Sequence, residues 1–184
     1  MGAIRPRHLP CLRQGTGLDR SGCKAYAART SFASLPLLEF PVNDPVPLLL
    51  VGIGGYGHTY IRALDQADES RPAVRIAGVA DPMAGNAQDH ARLAAENIPF
   101  YDTPEAFYAD HGADLAVISS PIHFHCPQTV ACLEHGSHVL CEKPVAATIQ
   151  EARQMMAARD AAGRFVSIGY QLSFDEGTQA LKQD

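Results

Sequence analysis

The chain has 184 residues, a formal net charge of −5 and an apolar content of 46%. Such a composition is typical of a globular protein with one domain of ordinary size and a sizeable core. The negative charge gives no reason to expect a nucleic-acid partner. No apolar stretch approaches the roughly 20 residues that cross a bilayer, so we expect no membrane partner either.

The five cysteines are odd in number and show no C-x-x-C spacing; they are Cys11, Cys23, Cys126, Cys132 and Cys141. A disulfide framework is therefore disfavoured. Reduced thiols are typical of a reducing compartment, and we expect a cytoplasmic protein.

The first 45 residues do not resemble folded structure. Residues 1–40 carry six basic and two acidic side chains, whereas the remainder of the chain is acidic. No continuous apolar run typical of a secretory signal is present. We interpret residues 1–45 as a disordered extension or as sequence translated upstream of the natural start. An organelle presequence is a third, less favoured interpretation, because the segment is rich in arginine but lacks a clear amphipathic helix.

From residue 46 onward, strand patterns alternate with helix patterns. The predicted strands are 47–52, 74–80, 99–101, 115–119, 138–141 and 165–170. The predicted helices are 57–68, 84–96, one from Thr103 to just before Gly112, 127–135 and one from Thr148 to Gly163. This alternation predicts an α/β fold with a doubly wound parallel sheet, whose functional site lies at the carboxyl ends of the strands.

A glycine-rich turn follows the first predicted strand, with the sequence Gly52-Ile53-Gly54-Gly55-Tyr56-Gly57. In this G-x-G-x-x-G spacing, Gly52 would permit the turn and Gly54 would let a phosphate approach the backbone. Gly57 would let the helix pack closely on the strand. Free N–H groups at the helix start attract anions. The turn therefore predicts a pyrophosphate-binding site of the Rossmann type, although such a motif alone is weak.

Asp81 ends the second predicted strand, 24 residues after Gly57, and precedes Pro82. A carboxylate there can accept hydrogen bonds from the adenosine ribose and would repel a 2′-phosphate. No basic residue lies between Asp81 and Arg92. We therefore predict NAD as the cofactor in preference to NADP. The alternative is that Asp81 only caps a turn.

Two more polar segments follow later strands: Ser119-Ser120-Pro121-Ile122-His123-Phe124-His125 and Glu142-Lys143-Pro144. Parallel strands bring both segments to the same edge of the sheet. Lys143 could donate a hydrogen bond to a substrate oxygen. The alternative for an isolated lysine is a solvated surface charge.

Six potential metal ligands lie within 16 residues: His123, His125, Cys126, Cys132, His135 and His138. Their spacing matches no familiar zinc pattern, and we expect no metal site. Cys141 could be a catalytic thiolate, but a buried strand cysteine is the favoured interpretation.

In this order the motifs resemble those of the Gfo/Idh/MocA oxidoreductases. The resemblance rests on the glycine turn, Val79-Ala80-Asp81-Pro82, Pro121-Ile122-His123-Phe124-His125, Glu142-Lys143-Pro144 and Gly169-Tyr170. The glycine motif is shared by many folds, whereas E-K-P after P-x-x-x-H is far more specific. The resemblance covers about residues 47–175.

The resemblance implies an NAD(P)-dependent oxidoreductase that acts on sugars, cyclitols or related alcohols. It makes Lys143 the catalytic candidate, placed between nicotinamide and substrate. Together with the residue patterns above, it predicts cofactor contacts from Gly52, Ile53, Gly54, Gly55, Tyr56, Gly57, Asp81, Pro82, Ser119, Ser120, Pro121, His123, His125, Glu142, Lys143 and Gln171.

The chain also departs from the family pattern. Family members continue into a second α/β domain, which supplies substrate contacts, a catalytic Asp/His pair and the oligomer interface. We assign residues 46–170 to the dinucleotide-binding domain and 171–184 to the truncated start of the second. The segment Gly169-Tyr170-Gln171-Leu172-Ser173-Phe174 also lacks the family's basic residue.

We therefore expect the chain alone to bind a dinucleotide without full catalysis and without the oligomer interface, and part of 165–180 to be exposed or disordered. A non-catalytic binding module or sensor, and a truncated or split gene product, are the alternatives. The sequence does not identify a substrate.

Overall fold

The computed structural model describes residues 44–66 and 73–182. In this part of the chain the strands are β1 (Val46–Val51), β2 (Val74–Ala80), β3 (Phe100–Tyr101), β4 (Leu115–Ile118), β5 (His138–Cys141) and β6 (Val166–Ile168). The α-helices are α1 (Gly57–Asp65), α2 (His90–Ala95), α3 (Pro104–Asp110), α4 (His125–Glu134), α5 (Ile149–Ala162) and α6 (Glu176–Leu181). The interpretation of the first 43 residues, with Cys11 and Cys23, lies outside the described residues.

The strands form one sheet in the order β3-β2-β1-β4-β5-β6, and every neighbouring pair is parallel. This confirms the predicted doubly wound parallel sheet. The order reverses between β1 and β4, and a crevice opens at the carboxyl ends of strands at such a reversal. The fold therefore positions a site where β1 and β4 end.

Alternate side chains of β1 enter two different cores, one on each face of the sheet. Leu49 and Val51 pack with Phe107 of α3 and Leu133 of α4. Leu48 and Leu50 pack on the other face in a cluster that includes residues of α1 and α2. Because helices cover both faces, the central strands are apolar throughout, as buried parallel strands are.

Predicted caps define the ends of two helices. The Thr103 hydroxyl accepts the Ala106 N–H at 3.2 Å at the start of α3. Thr148 and Glu151 form the predicted capping box at the start of α5, and Gly163 ends that helix at φ 62°. The left-handed conformation at Gly163 is one that glycine adopts without a Cβ penalty.

The prediction of one continuous helix over residues 84–96 is wrong. The chain forms a 3₁₀ turn at Ala84–Asn86, becomes extended at Ala87 (ψ 143°), and begins α2 only at His90. Gly85 and Asn86 are poor helix formers, so the alanine-rich composition does not carry a helix through them.

Other boundaries differ by one to a few residues, as helix and strand ends do. Helix α1 ends at Asp65 rather than 68, and residues 67–72 lie outside the described part. Helix α4 begins at His125 rather than 127, after a 3₁₀ turn at Ile122–Phe124. No helix in the two described ranges is both long and apolar enough to cross a bilayer.

The chain after β6 carries exposed apolar side chains. It forms a 3₁₀ turn at Gln171–Phe174 and then α6. Leu172, Phe174 and Leu181 are 77%, 83% and 79% exposed. The expected exposure of part of residues 165–180 is confirmed at Leu172 and Phe174.

Candidate functional site

A cavity of about 770 Å³ opens at the carboxyl edge of the sheet, where the fold predicts a site. This volume falls within the range typical of small-molecule sites. Its lining comes from the end of β2, the loops after β1, β2, β3 and β4, and the first turns of α3 and α4. These residues are Gly52, Gly54, Gly55, Tyr56, Ala80, Asp81, Pro82, Met83, Asp102, Thr103, Pro104, Glu105, Ser119, Ser120, Pro121, Phe124, Pro127 and Gln128.

The glycine turn is tightly packed on its protein side and open at Gly54. Gly52 has φ +81°, and a Cβ there would lie 2.9 Å from the Ser120 nitrogen. A Cβ on Gly57 would lie 2.2 Å from the Gly52 carbonyl oxygen. By contrast, a Cβ on Gly54 would have no neighbour within 4 Å. Gly52 and Gly57 are thus required by packing, whereas Gly54 leaves backbone accessible to a ligand.

Serine hydroxyls fix the loops after β1 and β4 in place. Ser119 Oγ donates to the Gly52 carbonyl at 2.6 Å, which joins the end of β4 to the glycine turn. Ser120 Oγ donates to Gln128 Oε1 at 2.5 Å, which fixes the next loop to α4. These bonds preorganise the two loops that border the cavity.

Asp81 both supports the glycine turn and faces the cavity. The Ile53 N–H donates to its Oδ2 at 2.9 Å, and the Met83 N–H donates to its Oδ1 at 2.8 Å. Each carboxylate oxygen can accept a further hydrogen bond. The turn-capping role is therefore present, and it leaves acceptor capacity for the predicted ribose contact.

The charged residues that line the cavity are all acidic. They are Asp81, Asp102 and Glu105, and no lysine or arginine is among its described lining residues. The nearest arginine after Asp81 in sequence is Arg92, which is paired with Asp65 at 3.3 Å and Glu96 at 2.8 Å. None of the described lining residues therefore brings a basic side chain into the cavity.

His125 is buried and is not among the residues that line the cavity. The residue is 2% exposed, with Nε2 2.9 Å from the Ser120 carbonyl oxygen and Nδ1 2.9 Å from the Pro144 carbonyl oxygen. A neutral imidazole donates to one of these carbonyls, and an imidazolium to both. His125 thus connects the loop after β4 to the segment after β5, and its predicted direct cofactor contact stays a prediction.

Glu142 is buried, whereas the neighbouring Lys143 is exposed. The Tyr60 hydroxyl of α1 donates to Glu142 Oε1, and the Lys143 backbone N–H donates to Oε2 at 3.1 Å. Burial, with a further contribution from Glu142, raises the pKa of the Tyr60 phenol well above its usual value. Tyr60 therefore stays a neutral hydrogen-bond donor at physiological pH.

The predicted site residues separate into three groups. Those that line the cavity are Gly52, Gly54, Gly55, Tyr56, Asp81, Pro82, Ser119, Ser120 and Pro121. Those that are buried and outside its lining are Ile53, Gly57, His125 and Glu142. Those exposed outside its lining are His123, Lys143 and Gln171. Gln171 nevertheless reaches the glycine turn, because its Nε2 donates to the Tyr56 hydroxyl at 2.8 Å.

Sequence reasoning missed part of the site. Asp102, Thr103 and Glu105 follow β3, and the rule that loops after parallel strands form the site would have identified them. Their strand has only two residues, which hid the signal. Tyr60 had no detectable signal, because its partner Glu142 is 82 positions away.

The potential metal ligands between residues 123 and 138 are dispersed. His135 stacks on Tyr108, His138 stacks on Phe165, and Cys132 is fully buried. Within the described residues, no three His, Cys, Asp or Glu side chains are grouped so that they could hold a metal ion.

Cys126, Cys132 and Cys141 should resist alkylation in the folded protein. All three are buried free thiols, and burial raises the pKa of Cys132 and that of Cys141 to about 12. The thiolate is the nucleophile, so little of it exists at neutral pH. Mass spectrometry after iodoacetamide treatment should find these positions unmodified when native and modified in denaturant. Rapid alkylation of Cys141 in the folded protein would instead support the alternative that Cys141 is a catalytic thiolate.

The sequence matches a family model described as "Oxidoreductase family, NAD-binding Rossmann fold" over residues 46–170. Inositol 2-dehydrogenase 1 of Saccharopolyspora erythraea is 33% identical over 135 residues, which are 73% of this chain and 39% of that protein. D-glucoside 3-dehydrogenase of Escherichia coli is 31% identical over 145 residues, which are 77% of this chain and 39% of that protein. The chain thus spans about two-fifths of the length of these relatives.

Solved structures have the same fold. An NAD-binding protein from Listeria innocua superimposes with a TM-score of 0.63 at 26% identity, over 76% of this chain and 40% of that one. A WlbA dehydrogenase from Chromobacterium violaceum, solved with NADH and UDP-GlcNAcA, gives a TM-score of 0.68 at 23% identity, over 80% of this chain and 42% of that one. The match to the family model covers most of the chain, and the sheet order and glycine turn are those of its Rossmann fold: this chain belongs to the Gfo/Idh/MocA family of oxidoreductases.

Proposed function

We propose that the chain binds NAD in the cavity at the carboxyl edge of the sheet, as the cofactor-binding part of an oxidoreductase. The observation that carries this proposal is the contrast within the glycine turn. Neighbouring atoms leave no space for a side chain at Gly52 or Gly57, whereas the space beside the Gly54 backbone is free. A pyrophosphate needs such an opening beside a helix start. The residues present therefore fit a dinucleotide.

The cavity lining supports NAD over NADP. Asp81 would accept hydrogen bonds from the adenosine ribose hydroxyls, while two backbone N–H groups hold its carboxylate in place. Asp102 and Glu105 add negative charge to the same cavity. A 2′-phosphate would meet these carboxylates without a cation from the described lining residues, which costs binding free energy.

When bound, the nicotinamide would accept or donate a hydride. Lys143, exposed at the end of β5, would donate a hydrogen bond to the reacting oxygen of the substrate, while Glu142 holds its backbone. Inositol and a glucoside appear in the names of the two relatives, so a polyol or sugar is the proposed substrate class.

We also propose that residues 171–184 begin a second, substrate-binding domain, and that the chain alone turns over little substrate.

Calorimetric titration of the full chain with NAD and NADP tests cofactor binding and preference. We expect NAD to bind with a submillimolar Kd and NADP at least about tenfold more weakly, a difference of about 1.4 kcal/mol. The control variant Asp160→Asn removes one exposed negative charge from α5, outside the cavity lining. It should change neither affinity, which shows that net charge alone does not set them. Equal or tighter NADP binding would contradict the cofactor preference.

Addition of myo-inositol or a glucoside to the NAD complex, with NADH absorbance as the readout, tests the catalytic part. We expect little or no NADH. Robust turnover would show that residues 1–184 suffice for catalysis. Binding without turnover, even when a second domain is supplied in trans, would favour the non-catalytic module.

A further inference from the structure

We propose that Glu142 is a positioning residue, which fixes Lys143 and Gln171 against helix α1 and the glycine turn. Glu142 is 5% exposed, and no basic side chain within residues 44–66 and 73–182 forms an ion pair with it. A buried carboxylate is costly unless hydrogen bonds satisfy it. The groups that satisfy Glu142 therefore define what it holds in place.

Those groups come from separate parts of the fold. Tyr60 donates from α1, the Lys143 backbone N–H donates from the next residue at 3.1 Å, and Gln171 Nε2 lies 3.4 Å from Oε1. The amide of Gln171 also donates to the Tyr56 hydroxyl of the glycine turn at 2.8 Å. One carboxylate thus joins the lysine segment, α1 and the chain after β6.

Gly169 shows that the fold makes room for this carboxylate. A Cβ at position 169 would lie 2.9 Å from Glu142 Oε1 and 3.2 Å from its Cδ. The glycine of the Gly169-Tyr170 motif therefore lets the chain just after β6 pass next to Glu142. This close approach places Gln171, two residues later, within reach of Tyr56.

This positioning role rests on the proposed function, because its effect on NAD binding presupposes that NAD occupies the cavity. Tyr56 lines that cavity, whereas Tyr60 and Glu142 do not. We therefore expect an effect of Tyr60 or Glu142 on NAD affinity to pass through Lys143, Gln171 or Tyr56, which they hold in place.

The test compares Tyr60→Phe with Tyr108→Phe in the full chain. Both side chains are hydrogen-bonded phenols, and burial raises the pKa of each. The Tyr108 hydroxyl, however, forms its hydrogen bond with Ser137 Oγ at 2.5 Å, and neither Tyr108 nor Ser137 lines the cavity. We expect both variants to fold with a lower Tm. In ¹⁵N-labelled protein, only Tyr60→Phe and Glu142→Gln should shift the Lys143 backbone amide and the Gln171 side-chain amide. Unchanged resonances in both variants would overturn the proposal.

NAD affinity provides the second readout. Tyr60→Phe and Glu142→Gln should each weaken NAD binding about threefold to tenfold, and the double variant should be no weaker than Glu142→Gln alone. Tyr108→Phe should leave the affinity unchanged. Additive losses, or equal losses in Tyr60→Phe and Tyr108→Phe, would overturn the positioning role. If the wild-type chain binds no NAD, the proposed function fails, while the amide resonances still decide whether Glu142 holds Lys143 and Gln171.

Discussion

Gly57→Ala should destabilise the protein by about 3 kcal/mol and abolish NAD binding. The new methyl group would lie 2.2 Å from the Gly52 carbonyl oxygen and 2.9 Å from Ser119 Oγ. The backbone oxygen cannot move away without disrupting the turn, and forced overpacking of this kind costs about 1–3 kcal/mol or more. Urea denaturation of both proteins measures the loss of stability.

Gly54→Ala separates the binding role of the turn from its packing role. The added Cβ meets nothing within 4 Å, and Gly54 is not among the positive-φ glycines. We expect stability within about 0.5 kcal/mol of wild type, but NAD affinity at least about tenfold lower because the methyl group occupies the approach to the backbone. Gly112→Ala, whose Cβ also meets nothing, is the control and should change neither property.

Two outcomes would contradict this division of roles. Wild-type stability of Gly57→Ala would mean that the contact between α1 and the end of β1 is looser than described. Unchanged NAD affinity of Gly54→Ala would place the pyrophosphate away from this turn.

Asp81→Ala should lower both stability and NAD affinity. It removes the acceptor of the Ile53 and Met83 N–H groups, at 2.9 and 2.8 Å. Hydrogen bonds to a charged group contribute about 1.5–3 kcal/mol each, so we expect a net loss of about 2 kcal/mol after water replaces part of the interaction. Thermal unfolding and calorimetry measure the two effects.

Asp81→Asn tests the cofactor preference more finely. The amide keeps one acceptor oxygen but loses the charge that would repel a 2′-phosphate. We expect NAD affinity to fall about tenfold and NADP affinity to change less, so that the preference for NAD narrows. An unchanged ratio of NAD to NADP affinity would show that Asp81 only supports the turn. Asp160→Asn again controls for the loss of one exposed charge.

The parts of the site that are local in sequence could be predicted from it. The glycine turn links β1 to α1 within a few residues, and Asp81 follows β2 directly, so the strand–turn–helix pattern places both. The caps at Thr103 and Thr148 have the same local character.

Contacts between distant segments left no comparable pattern. Tyr60 donates to Glu142 from a different layer of the fold, and His125 reaches carbonyls of residues 120 and 144. A spacing rule cannot find such pairs, because the sheet order alone brings them together. The helix predicted over 84–96 was wrong for a different, local reason: composition favoured a helix, whereas Asp81 and the Gly85-Asn86 pair impose a turn.

Determination of the structure of the chain with NAD tests the central claim most directly. We predict pyrophosphate oxygens against the backbone at Gly54 and Gly55, the adenosine ribose within hydrogen-bond distance of Asp81, and the adenine in the cavity bounded by Met83 and Thr103. NAD bound outside this cavity, or no NAD bound at millimolar concentration, would contradict the assignment of the glycine turn as the cofactor site.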